Sequence, residues 1–206
     1  MDSYSTAELA FTIERTDAGI QGGRQDQYAS SFGGFNFMEF EAGRTIVTPL
    51  RIAPDTLYEL QYRLLMTRVG PSRTGDHIIA RQTKNYMDGL PATVEAMHRL
   101  KQLAGDMKTA LLLGQVTNMG ELLHEAWQHK KAMADGIATP RTEEIYEVAR
   151  SAGALGGKMS GAGGGGFMTF ICRDDRTLAV QSALQEAGAD TERVAFVDEG
   201  VQTWKA

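Results

Sequence analysis

The segment from Gly156 to Gly166 is the part of the chain best suited to chemistry, because glycine predominates there and an apolar run, residues 167–172, follows at once. Glycine loses more conformational freedom on folding than other residues, so a compact protein keeps such a loop where backbone must bend sharply or lie against a ligand. Successive free N–H groups in a glycine-rich turn form a concave anion site. The segment therefore predicts a phosphate-binding loop that leads into a strand, with a flexible linker as the alternative.

This loop matches neither of the two common nucleotide-binding motifs. A P-loop carries Lys-Ser or Lys-Thr after its last glycine, whereas Phe167-Met168 stand there and the lysine, Lys158, precedes the loop. A dinucleotide-binding loop lies between a strand and a helix, but the pattern here runs from helix to strand. The glycines alone do not identify a family, and a second site is needed.

That second site is indicated by two carboxylates near the start of the chain, Asp26 and Glu14. Asp26 lies in a polar, glycine-rich segment just before a predicted strand, where a carboxylate can accept a proton or hold a cation. Taken alone, it would more often be an ordinary turn or capping residue. Glu14 lies on the preceding predicted helix, and a carboxylate pair combined with an anion-binding loop is what metal-assisted phosphoryl transfer requires.

The elements that must position these residues alternate between strands and helices. Apolar spacing predicts a helix over residues 5–16 that is capped by Ser5 or Thr6, strands over 32–40, 44–50 and 58–66, and helices over 74–86, 91–103, 107–133 and 142–152. A strand at Phe167, a helix over 176–187 and a strand pair over 193–197 and 201–204 complete the chain. This order predicts an α+β fold with an antiparallel or mixed sheet.

Composition limits the class of protein. With 206 residues and 42% hydrophobic content, the chain can bury the core of one large domain or two small ones. A formal charge of −5 and a pI near 5.4 argue against nucleic acid as a partner. Neither a membrane-spanning run nor a signal peptide is recognisable, so a cytoplasmic location is expected. The single cysteine, Cys172, is expected to be buried and without a redox role.

Three segments, taken in order, resemble the GHMP small-molecule kinases, which include galactokinase, homoserine kinase, mevalonate kinase and phosphomevalonate kinase. They are Ile13-Glu14-Arg15, residues 22–36 with Gly-Gly-Arg-Gln-Asp-Gln-Tyr and Phe-Gly-Gly-Phe-Asn, and residues 157–166 with Gly-Lys-Met-Ser-Gly-Ala and four further glycines. They span nearly the whole chain, and the heptose phosphate kinase branch is the one that they resemble most.

The resemblance implies an ATP- and Mg²⁺-dependent enzyme that phosphorylates a sugar or sugar phosphate, with a heptose phosphate favoured. Asp26 matches the family's catalytic aspartate, and Glu14 matches the acidic residue that holds Mg²⁺. The implied substrate-binding residues are Gly23, Gln25, Arg73 and Lys158, and the implied phosphate loop consists of Gly161, Ala162, Gly163, Gly164 and Gly165. For the fold, the resemblance implies the end of a ribosomal-S5-like N-terminal domain over residues 1–53 and a ferredoxin-like C-terminal domain with extra helices over residues 54–206.

Two upstream motifs of the family have no counterpart before Glu14: one that positions the acceptor and a Gly-Leu-Gly-Ser-Ser-Ser loop that wraps the ATP phosphates. The chain therefore resembles the C-terminal part of such a kinase. The alternative function is a non-catalytic sugar-phosphate-binding or assembly module, such as half of a split kinase or a remnant. An apolar edge at residues 32–40 predicts association with a missing N-terminal portion or a homodimer.

Two further patterns were given structural interpretations. His124 and His129 are five residues apart, so their rings would diverge by roughly 140° on a helix and a zinc-protease site is not expected. The pair Lys130-Lys131 is expected to form part of a solvated helix face.

Overall fold

A computed structural model describes residues 1–71, 75–202 and 204. The chain forms two compact units: one runs from Met1 to Arg51 and also includes the chain from Ala195 onward, and the other runs from Ile52 to Val194. The sequence-based division instead placed all residues after 53 in the second domain. The difference lies in the C-terminal segment, whose packing is described below.

The first unit contains two helices and a hairpin. Helix α1 spans Ser3–Thr12 and continues as a π-helical turn, Ile13–Asp17; α2 spans Gln25–Phe32, β1 Asn36–Glu41 and β2 Arg44–Pro49. The N-cap of α1 is Asp2, which accepts a hydrogen bond from the Ser5 N–H at 2.8 Å, and not Ser5 or Thr6 as predicted. An aspartate oxygen at this position satisfies a backbone donor that the helix itself leaves unpaired.

Helix α2 was not predicted, because the sequence around Asp26 was interpreted as a turn. It forms because Tyr28 lies 1% exposed in a small core with Ala7 and Val47, and this burial offsets the weak helix propensity of a short polar segment. The aromatic ring of Tyr28 stacks on that of Phe32, with centroids 6.1 Å apart. The observed strand β1 therefore begins at Asn36, whereas the strand was predicted to begin at residue 32.

Glycine at position 33 allows the C-terminal segment to lie against the first unit. Gly33 has a φ of +64°, and a Cβ there would overlap the backbone of Glu199 and Gly200. The neighbouring Gly34 N–H donates to the Val197 carbonyl at 3.0 Å. The chain that approaches this glycine pair is the protein's own C-terminal segment.

The second unit combines helices with a four-stranded sheet. Its helices are α3 (Pro54–Arg63), α4 (Asp76–Met87), α5 (Pro91–Leu112), α6 (Val116–Ala132), α7 (Pro140–Ala152) and α8 (Thr177–Glu186). Its strands are β3 (Leu64–Gly70), β4 (Ala154–Met159), β5 (Gly166–Cys172) and β6 (Asp190–Arg193). Proline opens α3, α5 and α7 at a position where its missing N–H costs no helical hydrogen bond.

The sheet has the order β4-β5-β3-β6, and all of its neighbouring strands are antiparallel. With helices between β3 and β4 and α8 between β5 and β6, this is the β-α-β-β-α-β arrangement of ferredoxin-like folds, enlarged by extra helices. A hydrophobic core cluster of this unit includes Trp127, Tyr146 and Phe170, each at most 1% exposed. The predicted α+β class with antiparallel pairing is confirmed, and Cys172 is buried in the same core.

Three predicted elements of this unit were wrong. Residues 58–66, predicted as a strand, lie in the end of α3 and the start of β3. The glycine-rich segment was predicted as a loop throughout, but it is the strand β4 up to Met159. The predicted final strand pair is replaced by β6, which ends at Arg193, and the described residues from Ala195 onward contain no strand.

Helix α6 lies directly on β4 through two glycines. A Cβ on Gly156 would be 2.6 Å from the His124 backbone nitrogen and closer still to the Gly120 carbonyl oxygen. A Cβ on Gly120 would lie 2.5 Å from the Cβ of Leu155. Both positions therefore require glycine, because only a bare backbone allows the helix and strand to approach this closely.

Within the described residues, no helix is both long enough and apolar enough to cross a membrane.

Candidate functional site

In the first unit, Glu14 lies in the π-helical turn after α1. The turn is closed by a hydrogen bond from the Ala18 N–H to the Ile13 carbonyl at 2.9 Å, across five residues. Such turns widen a helix locally and are frequent at functional sites. The Glu14 side chain is 40% exposed, so its carboxylate remains accessible to a ligand.

Arg15 joins Glu14 to the glycine segment that follows. Its Nη1 donates to Glu14 Oε1 at 3.1 Å, and its Nε and Nη2 both donate to the Gly23 carbonyl, at 3.0 and 2.8 Å. A Cβ on Gly22 would lie 2.7 Å from Arg15 Nη2. The planar fork of arginine can make all of these bonds at once, which a lysine could not. Arg15 therefore fixes the predicted substrate residue Gly23 beside Glu14.

Gln27 holds the other side of the Glu14 carboxylate. The glutamine is 6% exposed, and its Nε2 donates to Glu14 Oε2. Its own Oε1 is buried and has no hydrogen-bond partner among the described residues. Neither Arg15 nor Gln27 received a role from the sequence, because pairing across a π-helical turn leaves no periodic signal.

Asp26 lies in the first turn of α2, one residue before Gln27. It is exposed and makes no hydrogen bond or ion pair with another described residue. The backbone N–H groups at a helix N-terminus favour a negative charge there. The predicted residue Gln25, at the first position of α2, is exposed beside it.

Helix α2 is held against α1 by a network around Glu8. Arg24 Nη1 donates to Glu8 Oε1 at 2.8 Å, and the Tyr28 hydroxyl donates to the same oxygen. The Arg24 guanidinium also lies 4.3 Å from the centroid of the Phe11 ring. This network keeps the start of α2, and with it Asp26, in a fixed place relative to the helix that bears Glu14.

In the second unit, the glycine loop connects β4 to β5. Ser160 N–H donates to the Phe167 carbonyl at 2.9 Å and closes the base of the loop, while Gly164 N–H donates to the Ile137 carbonyl at 2.9 Å. Gly163 has a φ of +110°, and a Cβ there would lie 2.9 Å from the Ile137 side chain. The loop is therefore packed against the chain that follows α6 and is not a flexible linker.

Most of the other N–H groups of the loop have no acceptor among the described residues. Those of Gly161, Ala162, Gly163 and Gly165 donate to no acceptor in the described part of the chain. Because buried or half-buried N–H groups are almost always paired, several unpaired donors in one loop indicate an anion site. Four of the five residues of the predicted phosphate loop thus carry an N–H group without an acceptor among the described residues, whereas Gly164 donates its N–H to Ile137.

The N-terminus of α4 lies beside this loop. A Cβ on Gly75, the N-cap of α4, would be 2.6 Å from the Cβ of Ala162. No side chain caps the helix there. The first-turn N–H groups of α4 therefore add positive partial charge next to the loop.

Lys158 lies at the end of β4, two residues before the loop begins to turn. Its side chain is partly buried, and desolvation lowers the pKa of its ammonium group below the usual value. The structure therefore places this predicted residue next to the loop. The predicted residue Arg73 lies outside the described residues.

Among the described residues, no three His, Cys, Asp or Glu side chains are grouped so that they could hold a metal. A Mg²⁺ ion, however, usually takes only one or two carboxylates and completes its shell with phosphate and water oxygens. The Glu14 carboxylate and the unpaired Oε1 of Gln27 are oxygen ligands of the kind that Mg²⁺ prefers, so this part of the chain fits an ion held chiefly by a nucleotide.

Known proteins resemble this chain in sequence and in fold. Residues 107–190 match the model of the family described as GHMP kinases C terminal. This segment includes α6, β4, the glycine loop and β5.

Individual relatives match the whole chain. The chain is 38% identical over 206 residues to the D-glycero-alpha-D-manno-heptose 7-phosphate kinase of Campylobacter jejuni. The matched region covers 100% of this chain and 60% of that protein. It is 27% identical over 208 residues to the mevalonate kinase of Thermococcus onnurineus, covering 98% of the chain and 58% of the relative.

Solved structures give the same result. The crystal structure of a D-glycero-D-manno-heptose 1-phosphate kinase from Bacteroides thetaiotaomicron superposes with a TM-score of 0.75 at 35% identity, over 100% of this chain and 56% of that one. The chain thus spans less than two thirds of the length of these relatives. Residues 107–190 belong to the GHMP kinase C-terminal domain family, and the chain is similar throughout its length to heptose phosphate kinases.

Proposed function

We propose that this chain is the C-terminal part of an ATP-dependent kinase that phosphorylates a sugar phosphate, with a heptose phosphate as the favoured acceptor. The observation that carries the proposal is the set of unpaired N–H groups at Gly161, Ala162, Gly163 and Gly165. They form a phosphate-binding backbone in a chain whose relatives are named as sugar, sugar-phosphate and mevalonate kinases.

Asp26 acts on the acceptor in this proposal. Its carboxylate is exposed, unpaired and fixed at the start of α2, so it can orient the acceptor hydroxyl and take its proton as the bond to phosphorus forms. Gly23 and Gln25 flank it and contact the sugar. The glycine loop of the second unit holds phosphate oxygens through its free N–H groups and stabilises their negative charge.

Mg²⁺, when bound, neutralises charge on the phosphate oxygens of the nucleotide. Glu14 is the residue that would help to hold it. Arg15 and Gln27 fix the Glu14 carboxylate from opposite sides, through its Oε1 and Oε2. Such fixation lowers the entropy cost of binding a ligand, since the carboxylate does not need to be ordered first.

The first unit would be the end of a ribosomal-S5-like domain. In the described chain, β1 and β2 pair only with each other, and Phe40 at the end of β1 is 42% exposed. A two-stranded sheet is marginal alone, so further strands would stabilise it. They could come from preceding chain or from a second copy, and sedimentation of the purified chain at high micromolar concentration separates a monomer from a dimer.

The experiment that tests the catalytic proposal is steady-state kinetics of the complete natural gene product with ATP, Mg²⁺ and a heptose 7-phosphate. Asp26→Asn should lower kcat by about 100-fold or more, because the variant keeps the shape but cannot accept a proton. Asp17→Asn is the matched control: Asp17 is also exposed in the first unit, and its loss should change kcat by less than about twofold. Full turnover by Asp26→Asn would contradict the assignment.

The alternative is a non-catalytic module that binds sugar phosphate. Calorimetric titration with Mg-ATP and, separately, with heptose 7-phosphate distinguishes the two. Sugar phosphate binding without any turnover by the complete gene product would favour the module, whereas ADP release would favour the kinase.

A further inference from the structure

Lys130, near the end of α6, is not a solvated surface lysine as the sequence suggested. It is partly buried, and its Nζ donates to Gln82 Oε1 at 3.2 Å. Burial, together with the smaller effect of the Lys158 charge, lowers the pKa of this ammonium group to about 8. A lysine in such a place costs stability unless something compensates its charge.

Gln82 connects Lys130 to the glycine loop. This side chain lies on α4, accepts from Lys130 through Oε1 and, through Nε2, lies 3.5 Å from the Ala162 carbonyl oxygen. Helix α4 is itself anchored to the chain that follows α6, because Asn85 donates to the Met133 carbonyl at 3.0 Å. A single side chain, that of Gln82, therefore connects Lys130 to the glycine loop.

Lys158 approaches the same place from the sheet. The backbone of Gly156 lies against α6 at Gly120 and His124. Side chains two residues apart on a strand share a face, so Lys158 is directed towards α6, the helix that bears Lys130. The effect of Lys158 on Lys130 is consistent with this placement.

No carboxylate compensates either lysine in the described chain. The neighbouring Lys131 shows the contrast, because its Nζ lies 2.8 Å from Glu143 Oε2. Among the described residues, neither Lys130 nor Lys158 forms an ion pair. Two partly buried cations that repel each other are stabilised together when an anion binds between them.

We propose that Lys130 and Lys158 form a dicationic subsite for the phosphate group of a phosphate monoester, next to the free N–H groups of the glycine loop. The proposal rests on the proposed function and adds to it a positively charged contribution from α6. Two ammonium groups match the double charge of a phosphate monoester better than the single charge of a carboxylate. Gln82 positions Lys130 for this contact and does not carry charge.

The phosphate could belong to the sugar phosphate or to the nucleotide, since both carry the same group. Calorimetric titration of the purified chain with inorganic phosphate, heptose 7-phosphate and Mg-ADP, each in a separate experiment, distinguishes these sources. Lys130→Gln and Lys158→Gln should each weaken binding by about tenfold or more, since a charge-assisted hydrogen bond is lost. The ligand whose affinity falls identifies the source of the phosphate.

Lys131→Gln is the matched control, because it removes the same charge one residue away from a lysine that is already paired with Glu143. It should change phosphate affinity by less than about threefold. Lys130→Arg, which keeps the charge, should retain binding of the same order, and thermal unfolding should show that every variant is folded. Unchanged affinity in Lys130→Gln, or no binding of any of the three ligands to the unaltered chain, would overturn the proposal.

The outcome is separable from that of the proposed function. If the lysine variants lose phosphate binding while the complete gene product shows no turnover, the subsite is real and the kinase assignment fails. If Asp26→Asn abolishes turnover but Lys130→Gln binds phosphate normally, the kinase assignment is supported and the subsite is wrong.

Discussion

Gln27, on α2, donates a hydrogen bond from its side-chain amide to the Glu14 carboxylate in the π-helical turn after α1. The two residues are thirteen positions apart. Since Gln27 is buried and Glu14 is partly exposed, the glutamine acts as a fixed support and the carboxylate as the part that can reach a ligand. This relationship makes Gln27 a positioning residue for any ion that Glu14 helps to hold.

The first prediction concerns this support. Gln27→Met keeps the length of the side chain but removes the hydrogen bond, so the Glu14 carboxylate loses one of its two anchors. In the complete gene product, the Mg²⁺ concentration for half-maximal activity should rise by about tenfold, as is typical when a partner of a metal ligand is removed. Activity measured against Mg²⁺ concentration at saturating ATP checks this.

Gln128→Met, an exposed glutamine on α6, is the control and should leave the Mg²⁺ dependence unchanged. A Gln27→Met enzyme that loses kcat at every Mg²⁺ concentration but keeps the same half-maximal value would contradict the role in positioning Glu14 and would indicate a general defect in folding.

The second prediction concerns the contact between α6 and β4. Gly156→Ala places a Cβ 2.6 Å from the His124 backbone nitrogen, so the helix and the strand must separate. The free energy of unfolding should fall by about 2 kcal/mol or more. Chemical denaturation followed by the fluorescence of Trp127, which is fully buried beside this contact, measures the change.

Gly105→Ala is its matched control, because Gly105 lies inside α5 and a Cβ there meets no atom within 4 Å. Alanine has the higher helix propensity, so this variant should be more stable by up to about 1 kcal/mol. Equal effects of the two substitutions would show that the close approach at Gly156 does not limit stability.

The same contact shows why the sequence predicted the glycine-rich segment only in part. A run of glycines signals close backbone approach but does not say what approaches. For Gly156 the partner is α6, and the segment there is a strand, whereas the N–H groups of Gly161, Ala162, Gly163 and Gly165 have no acceptor among the described residues. The phosphate loop stays a prediction, and the residues that precede it belong to the scaffold.

Long-range context decided the other differences. The alternation at residues 58–66 favoured a strand, but Pro54 at a helix start and the burial of Leu60 and Arg63 make the first half helical as α3. Lys130 resembled a surface lysine because sequence spacing does not reveal that Gln82, from another element, accepts a hydrogen bond from it. The two lysines of the proposed subsite were thus visible in the sequence, while their placement required the fold.

The third prediction concerns the stability cost of Lys130. Its pKa is about 8 in the folded chain, below the usual lysine value, so the unfolded chain binds more protons at alkaline pH and stability should rise as pH increases from about 8 to 10. Among the described residues, Gln82 from α4 accepts its hydrogen bond, and the charge of Lys158 from β4 repels it. Neither group supplies a negative charge.

Lys130→Met should therefore raise the free energy of unfolding at pH 7 by about 1 kcal/mol, because it removes a partly buried charge. Lys131→Met should lower it, since the carboxylate of Glu143, whose Oε1 is buried, then loses its partner. Thermal unfolding at pH 7 and at pH 10 checks both signs, and the gain from Lys130→Met should shrink at the higher pH. In saturating phosphate at pH 7, the unaltered chain should instead be more stable than Lys130→Met, because the anion stabilises only the chain that keeps the lysine. A destabilised Lys130→Met in phosphate-free buffer would mean that Lys130 is a structural residue and not one kept for binding.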